Sequence, residues 1–455
     1  MDKSTGTPRF RCLFGTDGVR DIANRGSMTP EMALRLGRAY VLFLIQRGTP
    51  RPKIVVGRDT RRSGKMLESA LVAGMTSAGA EVVLLGVVPT PAVSYGTLFF
   101  KAQGGAVVSA SHNPPEYNGI KFLSGTGQKL CDSEELEIED YLGDDLIDDW
   151  RPSGASIGEI TSEDGFAIMY ADEVLRTLGS ERLSGMRVVF DCANGAASAV
   201  IHELERKLDC ESFLIGAAPD GLNINEKYGV MHLETLKEAV KACDADVGIA
   251  YDGDADRVLL VDRKGRTING DIMLWVLARW LQREGILGSG VVATVMSNGA
   301  LENHLRKDGI QVFRCAVGDR YVLDMMKSTA SYLGGEQSGH VIIEHYVRTG
   351  DGLCTGFAFL RACRELGEVP ETLNDRFKPF PQELTNITVP DRDKVMRSHE
   401  LKKAIEAANS QLGTHGRVFL RPSGTEPLIR LLVECDDART LERLTEQLTE
   451  MIKNV

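Results

Sequence analysis

The sequence predicts an α/β protein of four domains: three similar layered α/β units, then a small α+β unit of a different kind. The first observation behind this is a pattern that recurs three times, at residues 53–88, 187–216 and 290–318. Each copy runs from a β-branched stretch through a polar or glycine turn into an amphipathic stretch and out to a second apolar run. Strand–turn–helix–strand units build layered α/β domains. Three in one chain point to three related domains, not one long sheet. The second observation is the tail, which from Met396 onward reads helix ("HELKKAIEAANSQL"), strands ("GRVFLRPSGTEPLIRLLVE") and helix ("ARTLERLTEQLTEMIKN"). The third is length, since 455 residues suffice for about three or four domains.

In the first copy "KIVV" opens as a strand, and Met66, Leu67, Ala70, Leu71, Gly74 and Met75 recur at helical spacing before "EVVLLGVV". In the second, "RVVF" is followed by Val200, Ile201, Leu204 and Leu208 on one helical face, then "SFLIG". The third runs from "GVVATV" to "QVFRC". The acidic, then Ser-, Gly- and Pro-containing stretch 144–159 reads as a linker, 261–271 as a turn between units, and 374–394, with three prolines, as a last boundary. The expected domains are 1–155, 156–262, 263–378 and 379–455.

Hydrophobic residues make up 43% of the chain, ample for a core. The formal net charge is −11, a poor match to nucleic acid or anionic membranes. An anionic ligand would then need local basic residues. Nine scattered cysteines without a CxxC pair fit free thiols in a reducing cytosol. The first residues lack an apolar core, so no secretory leader is expected, and no apolar run is long enough to span a membrane. A cytoplasmic protein is the expectation.

Four loops carry chemistry. "SASHNPP" (109–115) follows the apolar run Ala106, Val107 and Val108. Strand ends are where α/β sheets bind ligands. By themselves its residues leave Ser111 a turn former, a helix cap or a nucleophile. "YDGDADR" (251–257) places Asp252, Asp254 and Asp256 at every second position. On an extended segment they share one face, and three carboxylates together call for a hard divalent cation. A calcium EF-hand loop is excluded, because Arg257 and Arg263 stand where that loop needs Gly and Glu. Mg²⁺ keeps positions open for phosphate oxygens, so a phosphate partner is expected. "GGEQSGH" (334–340) is either a polar turn or a reader of sugar hydroxyls through its carboxylate, amide, hydroxyl and imidazole. "RPSGTEP" (421–427), with Arg430 beyond, is either a hairpin turn or a phosphate cradle. Together the loops predict a phosphosugar ligand in a cleft shared by the four domains. No P-loop, no G-x-S-x-G elbow and no dinucleotide fingerprint is present.

With these loops the chain resembles the α-D-phosphohexomutase family almost end to end. Further matching stretches are "FGTDGVR" (14–20), "GRDTRRSG" (57–64), "PTPAV" (89–93), "DCANGA" (191–196), "PDGLNIN" (219–225), "MSNGALE" (296–302) and "VGDRYV" (317–322). Gln337, "SGTEP" and "VGDRYV" resemble the branch acting on glucosamine phosphates rather than the phosphomannomutase/phosphoglucomutase branch. One departure is Ala255, where many relatives carry Gly.

The resemblance implies three α/β domains with mixed sheets around a central cleft, and a small fourth domain. It implies that Ser111 carries a phosphoryl group and, with Asp252, Asp254 and Asp256, binds Mg²⁺. Glu336 and Ser338 would read sugar hydroxyls, with His340 nearby. Arg421, Ser423, Gly424, Thr425 and Arg430 would hold the phosphate that is not transferred, and Arg257 would lie by the one that is. Lys121 and His112 are candidate bases, Lys121 favoured on the expectation of a pKa depressed by neighbouring cations, with Arg20 close by. The implied reaction interconverts glucosamine 6-phosphate and glucosamine 1-phosphate through a sugar 1,6-bisphosphate, in a homodimer. Rival readings are a broad-specificity or hexose mutase, a phosphatase, and a non-catalytic phosphosugar-binding protein.

Overall fold

The computed structural model describes residues 13–15, 17–143, 146–180, 182–422 and 428–455. The first sheet holds β1 (Val19–Ile22), β2 (Lys53–Arg58), β3 (Glu81–Val87), β4 (Gly104–Val108), β5 (Tyr117–Ser124) and β6 (Ile160–Ser162), in the order β1-β5-β4-β2-β3-β6. The second holds β7 (Arg187–Asp191), β8 (Glu211–Ile215), β9 (Val247–Tyr251), β10 (Val258–Asp262) and β11 (Thr267–Ile268), in the order β11-β10-β9-β7-β8. The third holds β12 (Val291–Thr294), β13 (Val312–Cys315), β14 (Leu333–Gly335) and β15 (Val341–Ile343), in the order β13-β12-β14-β15. The last, β16 (Gln382–Thr388), β17 (Gly416–Pro422) and β18 (Leu428–Cys435), is antiparallel in the order β16-β18-β17.

The three sequence copies become the parallel pairs β2/β3, β7/β8 and β12/β13. A third strand, β4, β9 or β14, then adds parallel on the other side of the first. A fourth, β5, β10 or β15, turns back antiparallel on the third. The sheets are therefore mixed, and in each the connection from third to fourth strand emerges at the carboxyl end of the parallel strands. Those three connections are the loops 109–116, 252–257 and 336–340. This is the crevice position where α/β sheets bind ligands.

The sheets do not divide where composition shifts. β6 lies beyond residue 155 yet pairs with β3 of the first sheet. β11 lies beyond residue 262 yet pairs with β10 of the second. Edge strands are claimed by the sheet whose open hydrogen bonds they satisfy, and linker composition does not report that. Asn269 and Asp351 cap the helices Gly270–Arg283 and Gly352–Leu366 that follow.

One apolar core runs through all three α/β units, joining Val55, Phe166, Phe190, Val258, Trp280 and Phe357. The C-terminal unit has its own, built on Ile387, Leu431, Val433, Leu444 and Leu448. Among the described residues no helix is long and apolar enough to cross a membrane. On the outer face of the first unit the helices Pro30–Gln46 and Arg62–Ser77 meet backbone to backbone. A Cβ on Gly74 would stand 2.1 Å from Leu34 O, and one on Gly37 2.3 Å from Leu71 O. Gly74→Ala is expected to cost about 1–3 kcal/mol by forcing this contact apart. A thermal melt of the variant should start lower, while Mg²⁺ binding at the second unit stays as in the parent.

Candidate active site

Ser111 sits at the tip of the first loop with φ +50°, a left-handed conformation that a non-glycine residue adopts at a cost of about 1–2 kcal/mol. Its side chain is buried and its Oγ donates to Asp252 Oδ2 at 2.5 Å. His112 Nδ1 lies 3.4 Å from the same Oγ. The loop of the first unit thus delivers its hydroxyl onto the loop of the second.

Asp252, Asp254 and Asp256 converge, each with one carboxylate oxygen within 4.8 Å of the others. They do not lie on an extended segment, as their alternation predicts. The chain turns sharply between β9 and β10, with Ala255 at φ +55°, and this folds the carboxylates inward. The left-handed angle also accounts for glycine being acceptable at this position. Asp252 Oδ1 accepts from the Arg257 backbone N–H (3.2 Å), and Asp254 Oδ2 accepts from Thr90 (2.7 Å) and Lys121 (2.9 Å). Asp254 Oδ1 and Asp256 Oδ1 are buried without a hydrogen-bond partner. Buried carboxylate oxygens without a hydrogen bond are costly. Three converging carboxylates are the donor set a hard divalent cation such as Mg²⁺ would take. The donor set is all oxygen and fits that ion.

Charge around the triad alternates across units. Lys121 Nζ is 2.9 Å from Asp17 and from Asp254, and 3.8 Å from Asp256. Lys129 pairs with Asp17 at 2.6 Å and with Asp319 of the third unit. His340 lies 3.7 Å from both Asp256 and Asp319. Arg20 pairs with Asp17 and donates to Asn113 at 3.4 Å. Burial and the other two aspartates push the Asp252 carboxyl well above the usual range. Burial would raise Asp256 too, but Lys121, His340 and Lys129 hold it well below.

The expected depression of the Lys121 pKa is not found. Burial and the neighbouring Lys129 do act to lower it, but the carboxylates of Asp17, Asp254 and Asp256 outweigh both and raise it. His112 is the group held down, to about 4, by burial, Arg257 and Arg20. His340 is raised, its carboxylate neighbours overcoming burial.

The third loop closes the site. Glu336 accepts from Ser338 Oγ (3.0 Å) and from the Gly318 N–H (3.2 Å). Glu336, Arg257, His340, Asp256, Lys129 and Asp17 face one pocket of about 130 Å³. Gln337 is turned elsewhere, and its amide donates to the buried Asp271 at 3.0 Å. Asp271 also accepts from the Asn298 N–H (2.9 Å), and Asn298 brackets Phe380 at the start of the C-terminal unit. Gln337 therefore shapes the loop and ties it toward the last unit, rather than meeting a ligand itself. Val317 joins the pocket to a cleft of about 1080 Å³ between the third and fourth units, which Arg421 also lines. Arg421 and Arg430 stand directly opposite each other on β17 and β18. Like charges opposed across strands repel, and burial and Arg430 lower the Arg421 pKa. Such a pair is relieved by an anion. Ser423, Gly424 and Thr425 lie outside the described residues.

Four domain patterns described as Phosphoglucomutase/phosphomannomutase, alpha/beta/alpha domains I, II and III and C-terminal domain, match residues 11–145, 167–265, 269–380 and 384–451. Phosphoglucosamine mutase of Moorella thermoacetica is 47% identical over 436 residues, covering 95% of this chain and 97% of that protein. That of Carboxydothermus hydrogenoformans is 45% identical over 444 residues, covering 97% and 99%. The chain belongs to the phosphoglucosamine mutases, within the phosphoglucomutase/phosphomannomutase family.

Solved structures share the fold. A phosphoglucomutase/phosphomannomutase family protein from Burkholderia thailandensis superposes with a TM-score of 0.77 at 24% identity, covering 96% of this chain and 97% of that one. N-acetylphosphoglucosamine mutase from Aspergillus fumigatus, solved with GlcNAc-6P and magnesium, gives 0.68 at 16% identity, covering 98% and 96%.

Within this phosphoglucosamine mutase fold the site uses residues that sequence reasoning did not single out. Asp17, Thr90 and Asp319 lie in "FGTDGVR", "PTPAV" and "VGDRYV", stretches whose only signal in the sequence is their family resemblance. Lys129 has no motif, and only the pairing of units shows that it bridges Asp17 and Asp319. A proton held on Asp252 must leave before a cation binds. Mg²⁺ affinity is thus expected to fall as pH is lowered, with proton release on binding. Calorimetry in two buffers of different ionisation enthalpy checks this, and Asp252→Asn should remove the proton release.

Proposed function

We propose that this chain interconverts glucosamine 6-phosphate and glucosamine 1-phosphate, with Ser111 as the phosphoryl carrier and a sugar 1,6-bisphosphate between the two transfers. The observation that carries the reading is the Ser111 hydroxyl, held on a triad of buried aspartates two of whose oxygens lack a hydrogen bond.

In the forward direction the Oγ–P bond of phospho-Ser111 breaks, a bond forms to the free sugar hydroxyl, and that hydroxyl loses its proton. The bisphosphate then returns its other phosphoryl group to Ser111. Such transfers ask mainly for positioning and charge stabilisation. Mg²⁺ at Asp252, Asp254 and Asp256 supplies charge neutralisation for the transferring group. Lys121 and Arg257 stay protonated and hold positive charge beside it. His112 is neutral near pH 7 and is the favoured acceptor of the hydroxyl proton, in place of Lys121. A phosphate dianion on Ser111 would bring its pKa up toward neutrality, where a base works best. Glu336, already oriented by Ser338, is assigned to the sugar hydroxyls. Arg421 and Arg430 are assigned to the idle phosphate. The separate core of the C-terminal unit lets it hinge while the bisphosphate changes orientation. A homodimer in a reducing compartment belongs to the same proposal.

Ser111→Ala is expected to abolish turnover with folding intact, read by a coupled mutase assay beside circular dichroism. Retained mutase activity would remove Ser111 from the mechanism. The phosphorylated, Mg²⁺-loaded protein should favour glucosamine 6-phosphate over glucose 6-phosphate and mannose 6-phosphate by at least about tenfold. Equal rates on the three would shift the reading to a broad hexose mutase, and phosphate release without isomer to a phosphatase.

A further inference from the structure

Ser111 is held from behind by side chains that the reaction above does not use. Its backbone carbonyl accepts from Arg61 Nη2 (2.9 Å) and from Asn225 Nδ2 (2.8 Å). The same two side chains meet again on the carbonyl of Asn113, at 2.8 and 3.0 Å. Arg61 donates further to the carbonyls of Tyr117 (3.1 Å) and Pro114, and its Nε to Asp59 Oδ2 (2.9 Å). All five guanidinium donors are therefore consumed inside the protein. Arg61 and Asp59 are wholly buried and neutralise one another. Asp59 also accepts from Ser109 Oγ (2.7 Å), which in turn accepts the Ser111 N–H (2.9 Å). Both ends of the Ser111 peptide unit thus lead to one buried ion pair.

Asn225 approaches from the second unit. It has φ +60°, which Asn tolerates well, and its own N–H is tied to Ala193 O at 2.8 Å. The aspartate loop presses in beside it, and a Cβ on Gly253 would stand 2.5 Å from Ser111 O. The phosphoryl-carrying serine and the cation-binding aspartates belong to different units. Phosphoryl transfer requires them to keep a mutual placement of well under 1 Å, and misplacement by that much can cost about a hundredfold in rate.

We propose that Asn225 and Arg61 are positioning residues for phosphoryl transfer: they clamp the Ser111 carbonyl from the two units and so hold its left-handed conformation, with Oγ aimed at the aspartate triad. The proposal rests on the reading of Ser111 as the phosphoryl carrier.

Asn225→Gly keeps the left-handed backbone accessible and deletes only the amide. It is expected to lower kcat about 10- to 100-fold with KM for glucosamine 6-phosphate unchanged within about threefold. The single-turnover rate from phospho-Ser111 should fall by the same factor. Asn225→Asp has the same shape but sets a carboxylate against two carbonyls. Its kcat loss should be larger near pH 8 than near pH 6, where a protonated carboxyl donates again, a profile that guards against a folding artefact in the glycine variant. Thr60→Ala removes a bond across the same seam, Thr60 Oγ1 to Asn194 O at 2.6 Å, and should keep parental kcat. Phosphorus NMR of phospho-Ser111 should show a shifted resonance in both Asn225 variants but not in Thr60→Ala. A parental kcat in Asn225→Gly, a rise in KM alone, or an equal loss in Thr60→Ala overturns the proposal. If the parent itself fails to turn over, the function fails instead, and an unshifted resonance then still overturns the clamp.

Discussion

Three buried carboxylates with oxygens within 4.8 Å of one another are the constraint on which the rest of this site depends. At that separation, and an effective dielectric of about 20, each pair of charges repels by roughly 3–4 kcal/mol. The protein meets this in three ways. It keeps a proton-prone carboxyl at Asp252, and it brings Lys121 from the first unit against Asp254 and Asp256. It also leaves two of the carboxylate oxygens without a hydrogen bond, in a cluster whose all-oxygen donors suit a divalent cation. The flanking charges then have to alternate, which places Asp17, Lys129, Asp319 and His340 where they are.

The same alternation joins the domains. Lys129 is on the first unit, Asp319 and His340 are on the third, and Asp256 is on the second. Backbone bonds cross the same seams. The Thr90 N–H reaches Asp254 O, the Val258 N–H reaches Gly339 O, and the Gly352 N–H reaches Ala255 O. The three α/β units therefore share one core and one charge network. The fourth has a core of its own and carries an arginine pair on facing strands.

Repetition explains how the loops find one another. Each is the connection from third to fourth strand of the same four-strand arrangement, so each emerges at the carboxyl end of its parallel strands. Equivalent ends of three similar units bring the Ser111 hydroxyl, the aspartate triad and the Glu336 carboxylate together from three separate parts of the chain. Gln337 shows how the frame constrains the chemistry. In sequence it looks available to a sugar, but its amide is held by Asp271, and through Asn298 it leads to the segment entering the C-terminal unit.

Local sequence determined much of this. Alternating apolar runs and amphipathic stretches are short-range properties, so the three strand–helix–strand copies and the different tail are legible without a structure. So is the density of carboxylates in "DGDADR", three at alternate positions between two apolar strands. Tertiary structure decided whatever depends on which surfaces meet. The edge strands β6 and β11 join sheets that linker composition does not indicate. Lys121 keeps its proton because distant Asp17 and Asp254 surround it. Ser111 points at Asp252 because Arg61 and Asn225, separated from it by 50 and 114 positions, hold its carbonyl. Contacts between distant positions leave no periodicity in the chain, and the pKa and aim of a side chain are set by such contacts.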